Sequence, residues 1–229
     1  MPTELTGLSN LGEWLCDETN REELEGYLGE YFRETPDSRT GYAGRYFEWF
    51  IQRSQPNAFT SWDFLAVGSL SVSVPPQTQS WLLTSAEPAR LLAECICVLE
   101  EAVAAGAPET FVSMSTAFED ALTALYSVIR NQHDVGYVTT SKLLAAKFPS
   151  LSPIRDDKVE RILGCKNERA WRRPLREALQ VTPAGADPMA VLAGLDTPAG
   201  SPRVTALRKL DVILWMKQKR IDDPEGRER

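Results

Sequence analysis

Residues 134–163 read DVGYVTTSKLLAAKFPSLSPIRDDKVERIL, with Gly136 and Asp156 separated by twenty positions. Apolar residues between those two recur at helical spacing, which predicts a helix that presents Leu143, Leu144 and Phe148 on one face. A second helix is predicted over residues 157–163, with Asp156 as its N-cap after Pro153. The stretch therefore predicts two helices that follow a short turn.

Helical patterns also dominate the rest of the chain. Thr84 with Glu87, and Thr116 with Glu119, resemble capping boxes ahead of apolar stripes. Further helices are predicted at 21–32, 42–51, 64–74 (decaying into an extended loop) and 204–217. Another is predicted from an N-cap at Asn167 through Trp171 and Leu179, with Pro174 either kinking it or beginning a second helix. The pattern predicts an all-α protein.

Charge is unevenly distributed along the chain. The net charge of −7 argues against general affinity for nucleic acid. Residues 1–131 hold 7 arginines, no lysine and 19 acidic residues, whereas residues 201–220 hold six basic residues and one acidic residue. Such polarity would let a basic face meet a phosphate backbone. The alternative, left open by composition, is that exposed helical faces simply happen to be basic.

Cysteine and histidine usage argues against a bound metal. The four cysteines show no C-x-x-C spacing and His133 is the single histidine, so we expect no zinc site and no cofactor. Cys95 and Cys97 are expected to act as small buried apolar residues. No apolar run is long enough to cross a bilayer and no secretory signal is evident, so we expect a cytoplasmic protein without a membrane partner.

The central stretch resembles the core of the helix-hairpin-helix DNA glycosylases. In that family the first helix ends in a turn that usually reads Leu-Pro-Gly-Val-Gly, and the second helix leads to Pro-x-x-Asp and then x-x-Val-x-Arg-Val. The residues that match this pattern are Val135, Gly136, Thr139, Pro153, Asp156, Val159 and Arg161. The resemblance covers residues 133–163. It implies an all-α, glycosylase-like fold with a cleft between two helical lobes.

The resemblance also implies a role for each part of the motif. The turn and the start of the second helix would hold a DNA phosphate, and Asp156 would stabilise positive charge on the sugar or help to activate water. The target base would first flip out of double-stranded DNA, which is therefore the predicted partner. The predicted nucleic-acid contacts are Val135, Gly136, Tyr137, Val138, Thr139, Lys142, Lys158 and Arg161.

Two departures from the family pattern bear on activity. Bifunctional members carry a lysine two residues after the hairpin glycine, and Val138 stands there in this chain, which predicts base release without strand cleavage. His133-Asp134 replaces the usual Pro-Gly, and a carboxylate repels a nearby phosphate unless its side chain turns away. The sequence is thus also consistent with a hairpin that is retained as part of the fold but does not bind DNA.

Structural roles compete with these functional ones. Asp156 is equally well explained as a helix N-cap, both roles can coexist, and Asp157 is an alternative carboxylate. His133 fits a partner of a helix C-terminal dipole better than a phosphate ligand. Aromatic residues at helical spacing are more often core residues than pocket liners, for which the candidates are Trp14, Tyr46, Phe47, Trp49, Trp62 and Trp171.

We predict one helical domain over residues 1–220. It can divide into an acidic lobe at about 1–131 and a basic, hairpin-containing lobe at 132–220, before a disordered tail at 221–229. The whole chain resembles bacterial proteins of unknown function. The predicted function is a monofunctional DNA glycosylase for a damaged or modified base, and the alternative is a non-catalytic nucleic-acid-binding or protein-interaction module. The base, the oligomeric state and the role of residues 41–48 stay open.

Overall fold

The computed structural model describes residues 3–34, 41–165, 171–182 and 184–224. Within these ranges every regular element is helical, which confirms the predicted all-α class. The α-helices are α1 (Leu11–Cys16), α2 (Arg21–Phe32), α3 (Phe47–Ile51), α4 (Ser61–Ser69), α5 (Pro76–Thr84), α6 (Ala86–Ala104), α7 (Thr116–Arg130), α8 (Tyr137–Lys147), α9 (Asp157–Leu163), α10 (Arg172–Ala178), α11 (Pro188–Gly194) and α12 (Ala206–Asp222).

The described residues form two compact units. The central unit comprises Ala43–Ser152 and holds α3 to α8. The terminal unit comprises the described residues of Met1–Tyr42 and Pro153–Arg229, and holds α1, α2 and α9 to α12. From the sequence, a boundary between two lobes was expected near residue 131. The structure has no unit boundary there, because α7 and α8, which lie on either side of that position, pack together in the central unit.

The core of the central unit lies among the apolar faces of α4 to α8. In this unit α7 packs on both α6 and α8, and α4 packs on both α3 and α8. Cys95 is fully buried, and burial raises the pKa of its thiol to about 11, so it serves as an apolar residue. Cys97 is exposed, so the prediction of its burial is wrong. It lies two residues after Cys95, and residues two apart point to opposite sides of a helix.

A buried ion pair connects α8 to α4. Lys147 Nζ lies 2.7 Å from Asp63 Oδ2, and both side chains are almost fully inaccessible. The ammonium also donates to Ser54 Oγ and to the carbonyls of Gln55 and Ala58, at 2.8, 2.8 and 2.5 Å. Burial lowers the pKa of Lys147, although the Asp63 carboxylate opposes this shift. The pair therefore holds the segment between α3 and α4 against α8.

In the terminal unit, α12 is a largely enclosed helix. It packs on α2, α9 and α11, and every residue from Leu207 to Leu214 is buried. The helix extends to Asp222, past its predicted end at Lys217 and into the segment that was predicted to be disordered. Residues 225–229 of that segment lie outside the described residues.

The basic side chains of α12 are engaged within the terminal unit. Lys217 pairs with Glu23 at 2.9 Å, and Arg220 pairs with Glu30 at 2.8 Å, both on α2. Burial opposes ionisation of the Glu23 carboxylate, but hydrogen bonds from Tyr27 and Lys217 outweigh it, so its pKa is lowered. Acidic side chains of α2 thus pair with basic side chains of α12 inside one unit, so part of the uneven charge along the sequence is neutralised there.

Candidate functional site

Helices α7 and α8 of the central unit flank the turn where the hairpin was predicted. Helix α7 ends at Arg130, and α8 begins at Tyr137 with Gly136 as its N-cap. Between the helices, Val135 N donates to Gln132 O at 3.2 Å, and the Arg130 guanidinium donates to Val135 O at 2.8 Å. The Val135 side chain is buried in the core. The turn is therefore fixed from both sides by contacts within its own unit.

Asp134 lies in the turn between α7 and α8, at a position where the resemblance described above predicts a glycine. Its φ of 58° lies in the left-handed region, which glycine adopts most readily and which aspartate tolerates better than most other residues. Its Oδ2 lies 2.9 Å from His133 Nδ1, and both side chains are highly exposed. The turn thus keeps a glycine-type backbone conformation while it carries a carboxylate at its tip.

Gly136 has an ordinary extended backbone, with φ −83° and ψ 170°. A Cβ built at this position would meet no atom within 4 Å. Neither backbone conformation nor internal packing of the described residues therefore requires glycine here. The first intrahelical bond of α8 runs from Thr140 N to Gly136 O, so the N–H groups of the first turn precede the helix ladder. Gly136 itself is exposed.

The other predicted contacts on α8 are less accessible than Gly136. Tyr137 and Val138 are half-buried, whereas Thr139 and Lys142 are buried. Lys142 Nζ donates to the carbonyl of Leu70 at 3.0 Å. Because Lys142 is buried, a phosphate contact would require its side chain to move, so that contact stays a prediction.

Asp156 is the N-cap of α9, as predicted. Its Oδ1 accepts a hydrogen bond from Lys158 N at 3.1 Å, and the residue is half-buried. Asp157, in the first turn of α9, is exposed. Asp156 belongs to the terminal unit and Gly136 to the central unit, since the chain passes between units at Ser152 and Pro153. A catalytic role for Asp156 is neither required nor contradicted by its capping role.

Lys158 and Arg161, both predicted to contact nucleic acid, bind Asp222 at the end of α12. Lys158 Nζ lies 2.6 Å from Asp222 Oδ2, and the Arg161 guanidinium reaches both carboxylate oxygens at 3.2 Å. Gln218 Nε2 donates to Oδ1 at 2.8 Å. The two cations therefore tie α9 to α12, and phosphate would compete with Asp222 for them.

Replacing Asp222 by asparagine tests this cluster through its pH dependence. The hydrogen bond from Lys158, followed by that from Gln218, lowers the pKa of Asp222 below its ordinary 3.8. A lowered carboxylate pKa contributes stability that is present above 3.8 and is lost as the pH falls below it. We expect urea unfolding to show wild type as more stable than Asp222→Asn near neutrality, with a gap that closes in acid. A gap that is constant with pH would contradict the assignment.

The six candidate pocket liners fall into two groups. Trp14, Phe47 and Trp171 are buried, as aromatic residues at helical spacing usually are. Tyr46 and Trp49 are exposed and Trp62 is half-buried, and all three belong to the central unit. Sequence reasoning assigned no partner to Trp171, whose ring lies 5.8 Å from the guanidinium of buried Arg155.

The part of the chain that the structure describes contains neither a metal-binding cluster nor a membrane-spanning helix. No group of three or more histidine, cysteine, aspartate or glutamate residues there is arranged to hold a metal ion. No helix in that part is long and apolar enough to span a membrane.

Comparison with known proteins assigns the chain to a family. A family model described as a family of unknown function, DUF6308, matches residues 25–218. The chain belongs to the DUF6308 family. The match begins in α2 and ends in α12, so the DUF6308 region includes residues of both units. Searches of curated proteins and of solved structures found no match. A function for this DUF6308 member must therefore be argued from its own residues.

Proposed function

We propose that the chain is a monofunctional DNA glycosylase of the helix-hairpin-helix type, which hydrolyses the N-glycosidic bond of a damaged or modified base. The observation that carries the proposal is Gly136: hydrogen bonds hold the turn before it, yet nothing in the described residues requires a glycine there. Close approach of an external group to the backbone is a physical reason for a glycine at such a position.

The chemistry of the hairpin suits a phosphate as that external group. The N-terminus of α8 carries a partial positive charge and N–H groups that precede the helix ladder. In this proposal the turn at Val135 and Gly136 and the following residues Tyr137, Val138 and Thr139 contact the DNA backbone. Lys142, Lys158 and Arg161 contribute once they exchange their internal acceptors for phosphate oxygens.

Asp156 supplies the carboxylate in this proposal. As the glycosidic bond breaks, positive charge develops on the sugar, and an anion nearby lowers the energy of that transition state. Water is the nucleophile, because Val138 stands where bifunctional family members carry the lysine that attacks the sugar. The products are a free base and an intact strand with an abasic site.

A non-catalytic binding module is the second candidate, and specific observations favour it. Asp134 places an exposed carboxylate at the tip of the hairpin, where it repels phosphate. In addition, Lys142, Lys158 and Arg161 all have acceptors within their own units. Under this alternative the protein binds nucleic acid or a protein through the hairpin without turnover.

The test is detection of free bases by mass spectrometry after the wild-type protein has been incubated with duplex DNA that carries a panel of damaged and naturally modified bases. We expect one class of base to be released, abasic sites to accumulate in equal number, and the strands to stay intact. Undamaged duplex is the control. Binding without release across the panel would favour the second candidate, and strand cleavage would contradict the assignment of Val138.

A further inference from the structure

A group of aromatic side chains lies at the surface of the central unit, on α3 and α4. We call Trp49, Phe50, Trp62 and Arg53 the aromatic surface. The Trp49 ring centroid lies 5.2 Å from that of Phe50 and 6.1 Å from that of Trp62, and the Phe50 and Trp62 rings stack at 6.2 Å. Trp49 is 42% exposed. The three rings therefore form one contiguous group that is partly open to solvent.

Apolar surface continues on both sides of this group. Tyr46, which is 39% exposed, is the N-cap of α3 and precedes Trp49 and Phe50 by three and four residues. Leu65, 49% exposed, follows Trp62 by three residues on α4. Large contiguous apolar surface is uncommon on soluble proteins except at interaction sites. The residues 41–48, whose role the sequence left open, lead directly into this surface.

The charged side chains of residues 41–65 that are not buried have one sign. The charged residues from 41 to 65 are Arg45, Glu48, Arg53 and Asp63. Both carboxylates are buried, whereas Arg53 is exposed and Arg45 is half-buried. In a chain with a net charge of −7, this surface is therefore locally cationic. An anionic partner with flat apolar groups is its complement.

Arg53 can contact both the anionic groups and the flat apolar groups of such a partner. Its guanidinium carbon lies 3.3 Å from the centroid of the Trp49 ring, and Nη1 donates to the Trp49 carbonyl at 2.8 Å. A guanidinium carries five N–H donors, so donors remain that can bind a phosphate oxygen while the group stays stacked. Aromatic rings beside a stacked arginine are the arrangement that holds unpaired bases and their phosphates.

We propose that the aromatic surface binds single-stranded nucleic acid, with unpaired bases stacked on Trp49 and Trp62 and a phosphate bound by Arg53. A duplex is a poorer partner, because its base faces are hidden in the stack. The interaction uses a surface other than the hairpin and requires no base release. A protein that proves inactive as a glycosylase would still bind a strand in this way.

Fluorescence anisotropy with labelled oligothymidine, oligouridine and a matched duplex tests the proposal. The wild-type protein is expected to bind at least one single strand more tightly than the duplex. Loss of one stacked base typically weakens binding by about 5- to 100-fold, so Trp49→Ala should show a loss in this range. Arg53→Ala should also weaken binding and lower the slope of log affinity against log salt by about 1.

Leu83→Ala is the matched control, since it removes a half-exposed apolar side chain from α5 of the same unit. It should leave binding unchanged. Circular dichroism checks that Trp49→Ala is folded, and Arg53→Ala provides the test if it is not. Equal affinity for strand and duplex, or no effect of either variant, would overturn the proposal. Self-association that Trp49→Ala abolishes, without strand binding, would make the surface a contact between copies and would overturn it too.

Discussion

Replacing Lys147 by methionine is expected to lower the free energy of unfolding by about 3–5 kcal/mol. The substitution removes the cation of a buried pair and leaves the Asp63 carboxylate, which is fully buried, without its counterion. It also removes the donor to Ser54 and to the carbonyls of Gln55 and Ala58. Since small domains are stable by only about 5–15 kcal/mol, urea unfolding should show a large loss.

Two control variants isolate the cause of that loss. Lys217→Met removes an ammonium from a pair that is partly exposed, so it should cost about 1 kcal/mol or less. The double variant Lys147→Met/Asp63→Asn removes both buried charges, so it should be more stable than the sum of the two single variants predicts. A cost for Lys147→Met no larger than that of Lys217→Met would show that the buried pair does not hold the central unit together.

Local signals predicted several helices closely. The bounds of α2 and α9 agree with the prediction because the apolar periodicity of each stops where the structure's helix stops. The cap of α6 was placed one residue early, at Thr84, and that of α7 one residue late, at Thr116, because the N-caps are Ser85 and Ser115. A serine follows Thr84, and another precedes Thr116. The sequence does not show which of the two neighbouring hydroxyls is available to cap the helix. The Thr84 hydroxyl donates to Ser80 O inside α5, and the cap of α7 is Ser115.

Partners that are distant along the chain were not predictable. The spacing of Lys142, Lys158 and Arg161 relative to the hairpin suggested contacts with phosphate. In the structure Lys142 binds Leu70 O, while Lys158 and Arg161 bind Asp222, all more than sixty positions away in sequence. Periodicity and capping are local properties, whereas these pairs depend on which helices the fold brings together.

The turn between α7 and α8 was also only partly predictable from the sequence. Val135 and Gly136 suggested the turn, but the left-handed conformation of Asp134 was not foreseen from its side chain. The contact of Arg130 with Val135 O was also missed. A signal for it was present, because arginine in the last turn of a helix commonly binds carbonyls at that end. A role at the C-terminal end of α7 was assigned to His133, whereas the residue that binds a carbonyl there is Arg130.

Replacing Asp156 by asparagine is expected to slow base release at least about 100-fold, because the transition state loses its anion. The fold should be unaffected. Asn is as good an N-cap as Asp, so the hydrogen bond from Lys158 N can be kept and the free energy of unfolding should change by no more than about 0.5 kcal/mol. The substitution thus separates the catalytic role from the capping role, which Asp156→Ala would remove together.

Asp157→Asn is the matched control, because it makes the same chemical change at the next residue, in the first turn of α9. The decisive measurement is the rate of free-base release from duplex DNA that carries a modified base, for wild type, Asp156→Asn and Asp157→Asn, with folding verified for each. If Asp156 is the catalytic carboxylate, we expect release by wild type and by Asp157→Asn, and strongly reduced release by Asp156→Asn alone. Equal rates for all three proteins, or no release by any of them, would contradict it.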